Sequence, residues 1–337
     1  MQLQEQKVFL TQRFNPFKGC KDKEWWYTGI SDEKQKLFIG ISVIRTKLID
    51  SIDISVYFSD GVDKDNKVNV NVEKNSGGHW EQAAFMGWIK CGDEKDKLDL
   101  SVNRGRPEDK FYFDYTDEQG GREQSDSCKN KWRLEFSSNK KNLKIKGSFD
   151  ILQRIPRFTK YDNFFCDTYT LLHYFQNQVS GELTINDKEY KIENALGYQD
   201  HCFGTVPRKT KWHWIAVQGE KCALASLMNY GPYAQQYTEA FFEISEDKNK
   251  WVRLNQDVSF ECYDEDRFQN HWRITSPDMH LKCEIFAWNN QNNWIPLFVN
   301  LKHYECYVKV TGHIKVNGVW KETGEMYGVL EEHYGKW

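Results

Sequence analysis

The sequence predicts an all-β fold, and three observations support this prediction. Apolar and polar residues alternate with a period of two in many short runs, such as residues 52–58, which is the pattern of a half-buried strand. Turn-forming segments at residues 59–61, 75–78 and 119–121 separate these runs. No stretch longer than about ten residues shows a clean helical period, so helices should be few and short.

The first half of the chain begins with an aromatic strand and continues with regular alternation. Three consecutive rings, Trp25, Trp26 and Tyr27, cannot all face one side of a strand, so Trp26 should point away from the other two. A hairpin is expected further on, around the turn Asn186-Asp187. In this half, strands are predicted over residues 37–44, 52–58, 97–102, 111–115, 131–136, 143–149, 181–185 and 188–192.

A short polar link at residues 207–210 separates this half from a fresh set of strands. A chain of 337 residues exceeds the size at which a single core usually stops growing, so two domains are expected. We expect an N-terminal domain over residues 1–206 and a C-terminal domain over residues 207–337, with the functional site where they meet. The later strands are predicted over residues 212–218, 223–227, 241–244, 251–254, 258–263, 281–286, 304–310 and 313–316.

The charge balance excludes some classes of partner. A total of 46 basic and 49 acidic residues gives a formal net charge of −3, which offers no electrostatic footprint for nucleic acid. The longest apolar runs are far shorter than the roughly 20 residues of a bilayer span, so we expect no transmembrane segment and only peripheral membrane contact for substrate uptake. The N-terminus lacks the basic and apolar regions of a signal peptide, which predicts a cytoplasmic location.

The cysteines and aromatic residues limit the chemistry further. The nine cysteines form no CxxC pair and are odd in number, which argues against a zinc knuckle and a disulfide framework. We expect reduced and mostly buried thiols. Aromatic residues make up 15% of the chain, including 13 tryptophans, so many rings are available to fill a core or line a pocket.

The richest concentration of reactive side chains lies just past the middle of the chain. Residues 197–204 read Gly-Tyr-Gln-Asp-His-Cys-Phe-Gly, with a glycine at each end where the backbone can turn or be approached closely. Alternation along a strand places Tyr198 and Asp200 on one face and His201 on the other. The first face is therefore the better candidate for a reactive site.

A second aromatic strand follows shortly after this octet. Trp212 and Trp214 share a face, and His213 between them should face away. Two histidines and one carboxylate for a metal could in principle be supplied by Asp200, His201, His173 and His213. However, Asp200 and His201 should point to opposite faces of an extended strand, and no HxD or HxxxH spacing occurs. We therefore expect no metal.

Four segments, taken in order, resemble landmarks of a known family: Glu-Trp-Trp-Tyr-Thr-Gly at 24–29, Gly-Glu-Leu at 181–183, the octet at 197–204 and Trp-His-Trp at 212–214. The family is the lipocalin-like carotenoid 1,2-hydratase superfamily, which also includes AttH-type proteins, kievitone hydratase and fungal Diels–Alderases. The resemblance covers nearly the whole chain. It implies two lipocalin-like β-barrel or sandwich domains packed together, with few short helices and a deep apolar pocket near their junction.

The resemblance also implies a set of site residues. The hydratases of this superfamily use an acidic residue two positions after a tyrosine, together with an upstream histidine that is followed two positions later by a tryptophan. The matching residues here are Tyr198, Asp200 and His173, with Phe175 in place of the tryptophan. Phenylalanine keeps a ring but loses the indole N–H and the strongest cation–π face. This difference argues against a carotenoid-type substrate and leaves acid catalysis open.

The implied activity is cofactor-independent acid catalysis on a C=C bond of a hydrophobic isoprenoid-like substrate, which gives hydration or cyclisation. Asp200 is the expected proton donor, with Tyr198 and His173 beside it. Free aspartic acid titrates at about 3.9, so burial among rings must raise the pKa of Asp200 by about 3 units. His201 is expected to be structural. The rings expected to bind substrate and stabilise a carbocation are Phe175, Trp212, Trp214, Trp25 and Tyr27.

Two other functions are consistent with the same residues. One is a lipocalin-like carrier that only sequesters an apolar ligand. The other is a pericyclase of the Diels–Alderase type, in which the pocket orders the substrate and no proton donor is essential. A substitution that removes the transferable proton of Asp200 separates both from an acid catalyst.

Overall fold

The fold is entirely β in the part of the chain that the computed structural model describes. Every regular element there is a strand, and no helix occurs, which confirms the predicted all-β class. The described residues are 22–46, 50–58, 79–91, 100–103, 110–117, 130–140, 143–153, 157–162, 168–205, 209–229, 236–242, 251–254, 257–262, 271–295 and 299–336.

The first part of the chain forms an antiparallel sheet of 11 strands. They are β1 (Asp22–Asp32), β2 (Leu37–Thr46), β3 (Asp50–Phe58), β4 (His79–Cys91), β5 (Leu100–Asn103), β6 (Lys110–Asp117), β7 (Asn130–Lys140), β8 (Leu143–Gln153), β9 (Arg157–Asp162), β10 (Thr168–Ile185) and β11 (Lys188–Thr205). The strand order is β11-β1-β2-β3-β4-β5-β6-β7-β8-β10-β9, and β10 also pairs with β11. The sheet therefore curls until its two ends meet, as in a barrel.

The second part forms an antiparallel sheet of 10 strands. They are β12 (Lys209–Gln218), β13 (Cys222–Asn229), β14 (Gln236–Phe242), β15 (Trp251–Arg253), β16 (Ser259–Cys262), β17 (Trp272–Ser276), β18 (Met279–Ile295), β19 (Val299–Val316), β20 (Val319–Glu322) and β21 (Met326–Lys336). The order is β15-β14-β13-β12-β21-β19-β18-β17-β16, with β20 paired to β19. The described chain passes from one sheet to the other between Thr205 and Lys209. The domain boundary at residues 206 and 207 stays a prediction.

Most of the predicted strands are present, and residues 97–99, 243–244 and 263 of the predicted ranges lie outside the described residues. The predicted hairpin is present, with Ile185 opposite Lys188 across the turn. Residues 304–310 and 313–316 belong to the single strand β19, which continues through Gly312 because the missing side chain admits the carbonyl oxygen of His280. The sequence analysis predicted no strand over β4, β9, β17, β20 or β21. The β4 segment Gln-Ala-Ala-Phe-Met-Gly lacks clean alternation.

The described buried apolar side chains form three clusters. One lies inside the first sheet and includes Trp26 and Phe149, and one lies inside the second and includes Trp272 and Val308. The third takes residues from both sheets, and we call it the junction cluster. Its members are Tyr27, Phe38, Tyr57, Phe175, Tyr198, Cys202, Trp214, Ala216, Ala223, Ala225, Leu227, Ala287, Tyr307 and Val329.

Contacts across the junction cluster show that the two sheets pack directly on each other. The rings of Phe38 and Tyr307 stack with their centroids 5.0 Å apart. Tyr57 on β3 donates a hydrogen bond of 2.6 Å to Glu305 on β19. These contacts join strands that are more than two hundred residues apart in the sequence. The faces of β1, β3, β10 and β11 therefore meet those of β12, β19 and β21.

Most of the described cysteines are buried, as the sequence predicted. None of the cysteines whose side chains are described forms a disulfide; Cys202, Cys222, Cys283 and Cys306 are buried, and Cys262 is half-buried. Within the described ranges, no helix is long and apolar enough to cross a membrane.

Candidate active site

Asp200, Tyr198 and His173 meet at the junction between the sheets. Tyr198 and Asp200 are two positions apart on β11 and share a face, and His173 lies directly opposite Asp200 on β10. The Tyr198 hydroxyl donates a hydrogen bond of 3.0 Å to Asp200 Oδ2. His173 Nδ1 lies 2.9 Å from the same hydroxyl oxygen. All three side chains are buried.

The surroundings of Asp200 favour its neutral form. Burial raises its pKa from the ordinary 3.8 to about 7, against the opposing hydrogen bonds of Tyr198 and Trp25. The residue is only 7% exposed. Its Oδ1 atom is buried and has no hydrogen-bond partner among the described residues. A large fraction of Asp200 is therefore protonated near neutral pH, as a general acid requires.

The hydrogen bonds of the three residues form a directed chain. A tyrosine hydroxyl has one proton to donate, and Tyr198 gives it to Asp200 Oδ2. The contact with His173 Nδ1 therefore makes that nitrogen the donor and the Tyr198 oxygen the acceptor. In this arrangement Asp200 Oδ1 is the carboxyl oxygen to which no described residue donates a hydrogen bond.

The rings that the sequence predicted for substrate binding lie together around this chain. Phe175, Trp214 and Tyr27 belong to the junction cluster, and Trp25 and Trp212 pack against it. The Phe175 ring lies 4.7 Å from that of Tyr198, and Trp214 stacks on His173 at 5.3 Å. The structure brings the five rings together, while their role in binding stays a prediction.

A β-bulge in β10 sets the position of Phe175. The pairing of β10 with β11 shifts by one residue between Tyr174 and Asn177, and Gln176 has a φ of 53°. The Gln176 backbone N–H donates to Gln218 Oε1 at 2.7 Å, and its Nε2 donates to the Gly219 carbonyl at 3.0 Å. The second sheet thus holds the bulge of the first in place. The sequence carries no signal of this bulge, because glutamine rarely adopts a positive φ.

His201 and His213 point away from Asp200, in the orientation that alternation predicted. His201 stacks on Trp26 at 4.7 Å, inside the first sheet. His213 stacks on Phe260 at 5.4 Å inside the second sheet, and its Nε2 lies 3.6 Å from Glu332. These two histidines therefore do not join Asp200 in a ligand set.

A second group of ionisable side chains lies beside the first, and the sequence analysis missed it. Glu305 on β19 lies directly opposite Glu331 on β21, and His303 precedes Glu305 by two positions. One ligand atom from each of the three lies within 4.8 Å of the others, a spacing that could hold a metal ion. Burial lowers the pKa of His303 to about 4. Burial, Glu305 and Asp200 raise the pKa of Glu331 well above its usual range.

Only the pairing of β19 with β21 reveals this group. In the sequence, His303 and Glu305, like Glu331 and His333, look like alternating polar positions on the solvent face of a strand. The structure turns this face towards the first sheet, where Tyr57 contacts Glu305. The available sequence signal was that two polar residues stand two positions apart in each of two segments, His303 with Glu305 and Glu331 with His333.

Two solved structures share this fold. Kievitone hydratase from Nectria haematococca matches with a TM-score of 0.61 and 12% identity, over 96% of this chain and 91% of that chain. A protein provisionally named AttH, from Nitrosomonas europaea, matches with a TM-score of 0.56 and 11% identity, over 93% of this chain and 92% of that chain. The sequence matches no family model and no curated protein. At these identities the likeness shows the fold, and at that level it confirms the resemblance seen in the sequence.

Proposed function

We propose that this protein is an enzyme in which Asp200 protonates a C=C bond of a hydrophobic, isoprenoid-like substrate. Capture of the resulting cation by water gives an alcohol, and capture within the substrate gives a ring. The scheme needs no cofactor. The observation that carries the proposal is a buried carboxyl group, with a pKa of about 7, set among aromatic rings at the junction of two sheets.

An alkene is a weak base, so its proton donor must be neutral at the working pH. A rise in the pKa of Asp200 from 3.8 to about 7 corresponds to a preference of about 4 kcal/mol for the neutral form. Burial supplies this preference, because desolvation disfavours the charged carboxylate. The apolar junction is therefore part of the proposed mechanism as well as a packing surface.

The hydrogen bonds around Asp200 suit it to give up one particular proton. Tyr198 donates to Oδ2, so the proton leaves from Oδ1. In the proposed step the Oδ1–H bond breaks, a C–H bond forms, and the neighbouring substrate carbon becomes a cation. The carboxylate left behind keeps its hydrogen bonds from Tyr198 and Trp25, which stabilise the charge. His173 positions the tyrosine.

The rings of the junction suit the proposed intermediate. Phe175, Tyr198 and Trp214 are each buried within the cluster that surrounds Asp200. A cation over the face of a desolvated ring is stabilised by roughly 2 kcal/mol. An apolar substrate also buries its surface against these rings. The fold likeness to kievitone hydratase supports a hydratase-type reaction.

The test is the turnover of apolar alkenes by Asp200→Asn. A panel of prenylated and linear alkenes that includes kievitone is incubated with the wild type, and products are identified by mass spectrometry. The variant keeps the shape of the side chain and loses the acidic proton, so turnover should fall by about 10² to 10⁴-fold. The matched control is Glu193→Gln, the same chemical change at an exposed position of β11. Undiminished turnover by Asp200→Asn would remove the acid role.

The same experiment separates the other two functions. A carrier binds panel compounds and releases them unchanged, whether or not Asp200 is present. A pericyclase forms a cyclic product equally well in the wild type and in Asp200→Asn.

A further inference from the structure

Glu305 and Glu331 form a largely buried carboxyl pair that the acid step does not use. They stand directly opposite each other on β19 and β21, with carboxylate oxygens within 4.8 Å. Glu305 is only 9% exposed. Like charges directly opposite on an antiparallel ladder repel each other, and burial strengthens the repulsion. The pair must therefore hold a proton or a counter-ion.

The two members of the pair differ in their hydrogen bonds. Tyr57 donates to Glu305 Oε1 at 2.6 Å, a short bond that favours the ionised carboxylate. The Trp212 indole donates to Glu331 Oε2 at the longer distance of 3.4 Å. Burial, together with Glu305 and Asp200, raises the pKa of Glu331 well above its usual range. The shorter hydrogen bond thus favours a charged Glu305, and the raised pKa of Glu331 favours its neutral form.

Among the described residues, no lysine or arginine shifts the pKa of Glu331. Burial keeps the imidazole of His303 neutral at neutral pH, with a pKa of about 4. In the described part of the chain, the titratable groups that face the pair include Tyr27 from β1, Tyr57 from β3, Asp200 from β11, His303 from β19 and His333 from β21.

An independent feature, the Tyr27 hydroxyl, marks a position for a small polar ligand. Tyr27 is 7% exposed, and its Oη is buried without a hydrogen-bond partner among the described residues. A Cβ on Gly40 would lie 2.9 Å from this oxygen and 3.3 Å from Glu305 Oε1, so both groups point at one small region. A buried hydroxyl beside a carboxylate is suited to hold a water molecule between them.

The same region adjoins Asp200. Tyr27 lies directly opposite Asp200 on the paired strands β1 and β11. From the second sheet, Trp214 lies directly opposite Glu331 and stacks on His173, which belongs to the hydrogen-bonded chain of Asp200. The first sheet thus brings the acid, and the second brings the carboxyl pair, to the same junction.

We propose that Glu305 and Glu331 share one proton and act as the base of a hydration reaction, in which Glu305 takes a proton from the water that attacks the substrate cation. This inference rests on the proposed acid role of Asp200 and extends it. A base beside the cation directs the reaction to an alcohol and away from ring closure.

The proposed hydration balances without any further reagent. The O–H bond of Asp200 breaks as a C–H bond forms on the substrate. The oxygen of water then forms a C–O bond, and one of its O–H bonds breaks as the proton passes to Glu305. Asp200 ends as a carboxylate and the pair ends with two protons. One proton then returns from the Glu305–Glu331 pair to Asp200, which restores the starting protonation state.

The first experiment compares products from Glu305→Gln, Glu331→Gln and the exposed control Glu322→Gln, with the panel alkene that the wild type hydrates best. Glu305→Gln removes the base, so alcohol formation should fall by about 10² to 10⁴-fold, while the cation loses a proton and yields isomerised alkene. The glutamine in Glu331→Gln resembles a protonated Glu331, so alcohol formation should fall much less in this variant. Equal alcohol yield from Glu305→Gln and the control would overturn the inference.

The second experiment needs no substrate. Infrared spectra of the purified protein at neutral pH should contain two bands of protonated carboxyl groups. One should disappear in Asp200→Asn and the other in Glu331→Gln, and both should shift in D₂O. Absence of the first band contradicts the proposed function. Absence of the second contradicts the shared proton alone, so the two failures are distinguishable.

A metal ion in place of the shared proton is the remaining outcome. Metal analysis of the purified protein, and thermal unfolding with added Zn²⁺ or Mn²⁺, should show no stoichiometric metal and no stabilisation. Stabilisation of the wild type that is lost in Glu305→Gln would show a cation site at His303, Glu305 and Glu331, and would overturn the proposal of a shared proton.

Discussion

The substitution Asp200→Asn should change how the stability of the protein depends on pH. The native state holds the Asp200 proton more tightly than the unfolded chain, because its pKa is raised from 3.8 to about 7. Between these values the native protein binds more protons than the unfolded chain, so its free energy of unfolding falls as the pH rises. This contribution is complete below the lower pKa and is lost above the higher one. Asparagine has no such proton and shows no such fall.

The size of the effect follows from the two pKa values. From about pH 5 to about pH 9, a carboxyl group whose pKa moves from 3.8 to about 7 lowers the free energy of unfolding by about 3 kcal/mol. Other titrating groups contribute equally to the wild type and to the variant. The free energy of unfolding of Asp200→Asn minus that of the wild type should therefore become more positive by about 3 kcal/mol over this pH range.

Urea unfolding, followed by tryptophan fluorescence at several pH values, measures this difference directly. The exposed control Glu193→Gln should show a difference from the wild type that barely changes with pH, since surface ion pairs contribute little. If the Asp200→Asn difference also stays constant between about pH 5 and about pH 9, the carboxyl group is ionised in the native state and the acid role fails.

Three further substitutions test the surroundings of the site. Tyr198→Phe removes a donor that lowers the pKa of Asp200, so the pKa should rise and the alkaline fall of the pH–rate profile should move to higher pH; an unmoved profile contradicts this. His201→Ala should lower the free energy of unfolding by about 2 to 4 kcal/mol and leave turnover per folded molecule intact, whereas a catalytic role would abolish turnover. Gln218→Ala leaves the buried N–H of Gln176 without its acceptor, so the free energy of unfolding in urea should fall by about 1 to 3 kcal/mol. An unchanged free energy of unfolding would show that this hydrogen bond does not stabilise the bulge.

Much of the fold could be predicted from local pattern. Period-two alternation identified most strands, since side chains of a strand point alternately to its two faces. The same rule placed Tyr198 and Asp200 together and turned His201 to the other side, where it meets Trp26. Alternation failed at β4, where small and apolar residues follow one another without a period. It also failed at Gly312, which resembled a break between strands.

The second half of the candidate site could not be predicted in the same way. Glu305 and Glu331 are neighbours only because β19 pairs with β21, and register between distant strands is set by tertiary packing. Glu331 lies on β21, for which no strand was predicted, and a polar face on a strand is usually a solvent face. The bulge at Gln176 was equally hidden, because contacts from the second sheet stabilise its positive φ.

The most direct test of the central claim is the origin of the hydrogen that appears on carbon. The wild type turns over its best panel alkene in D₂O, and the position of deuterium in the product is found by NMR. Proton donation by Asp200 predicts one solvent-derived deuterium on the carbon next to the new C–O or C–C bond, because the carboxyl proton exchanges with water before each turnover. A product formed without deuterium on carbon would contradict acid catalysis and favour a pericyclic reaction.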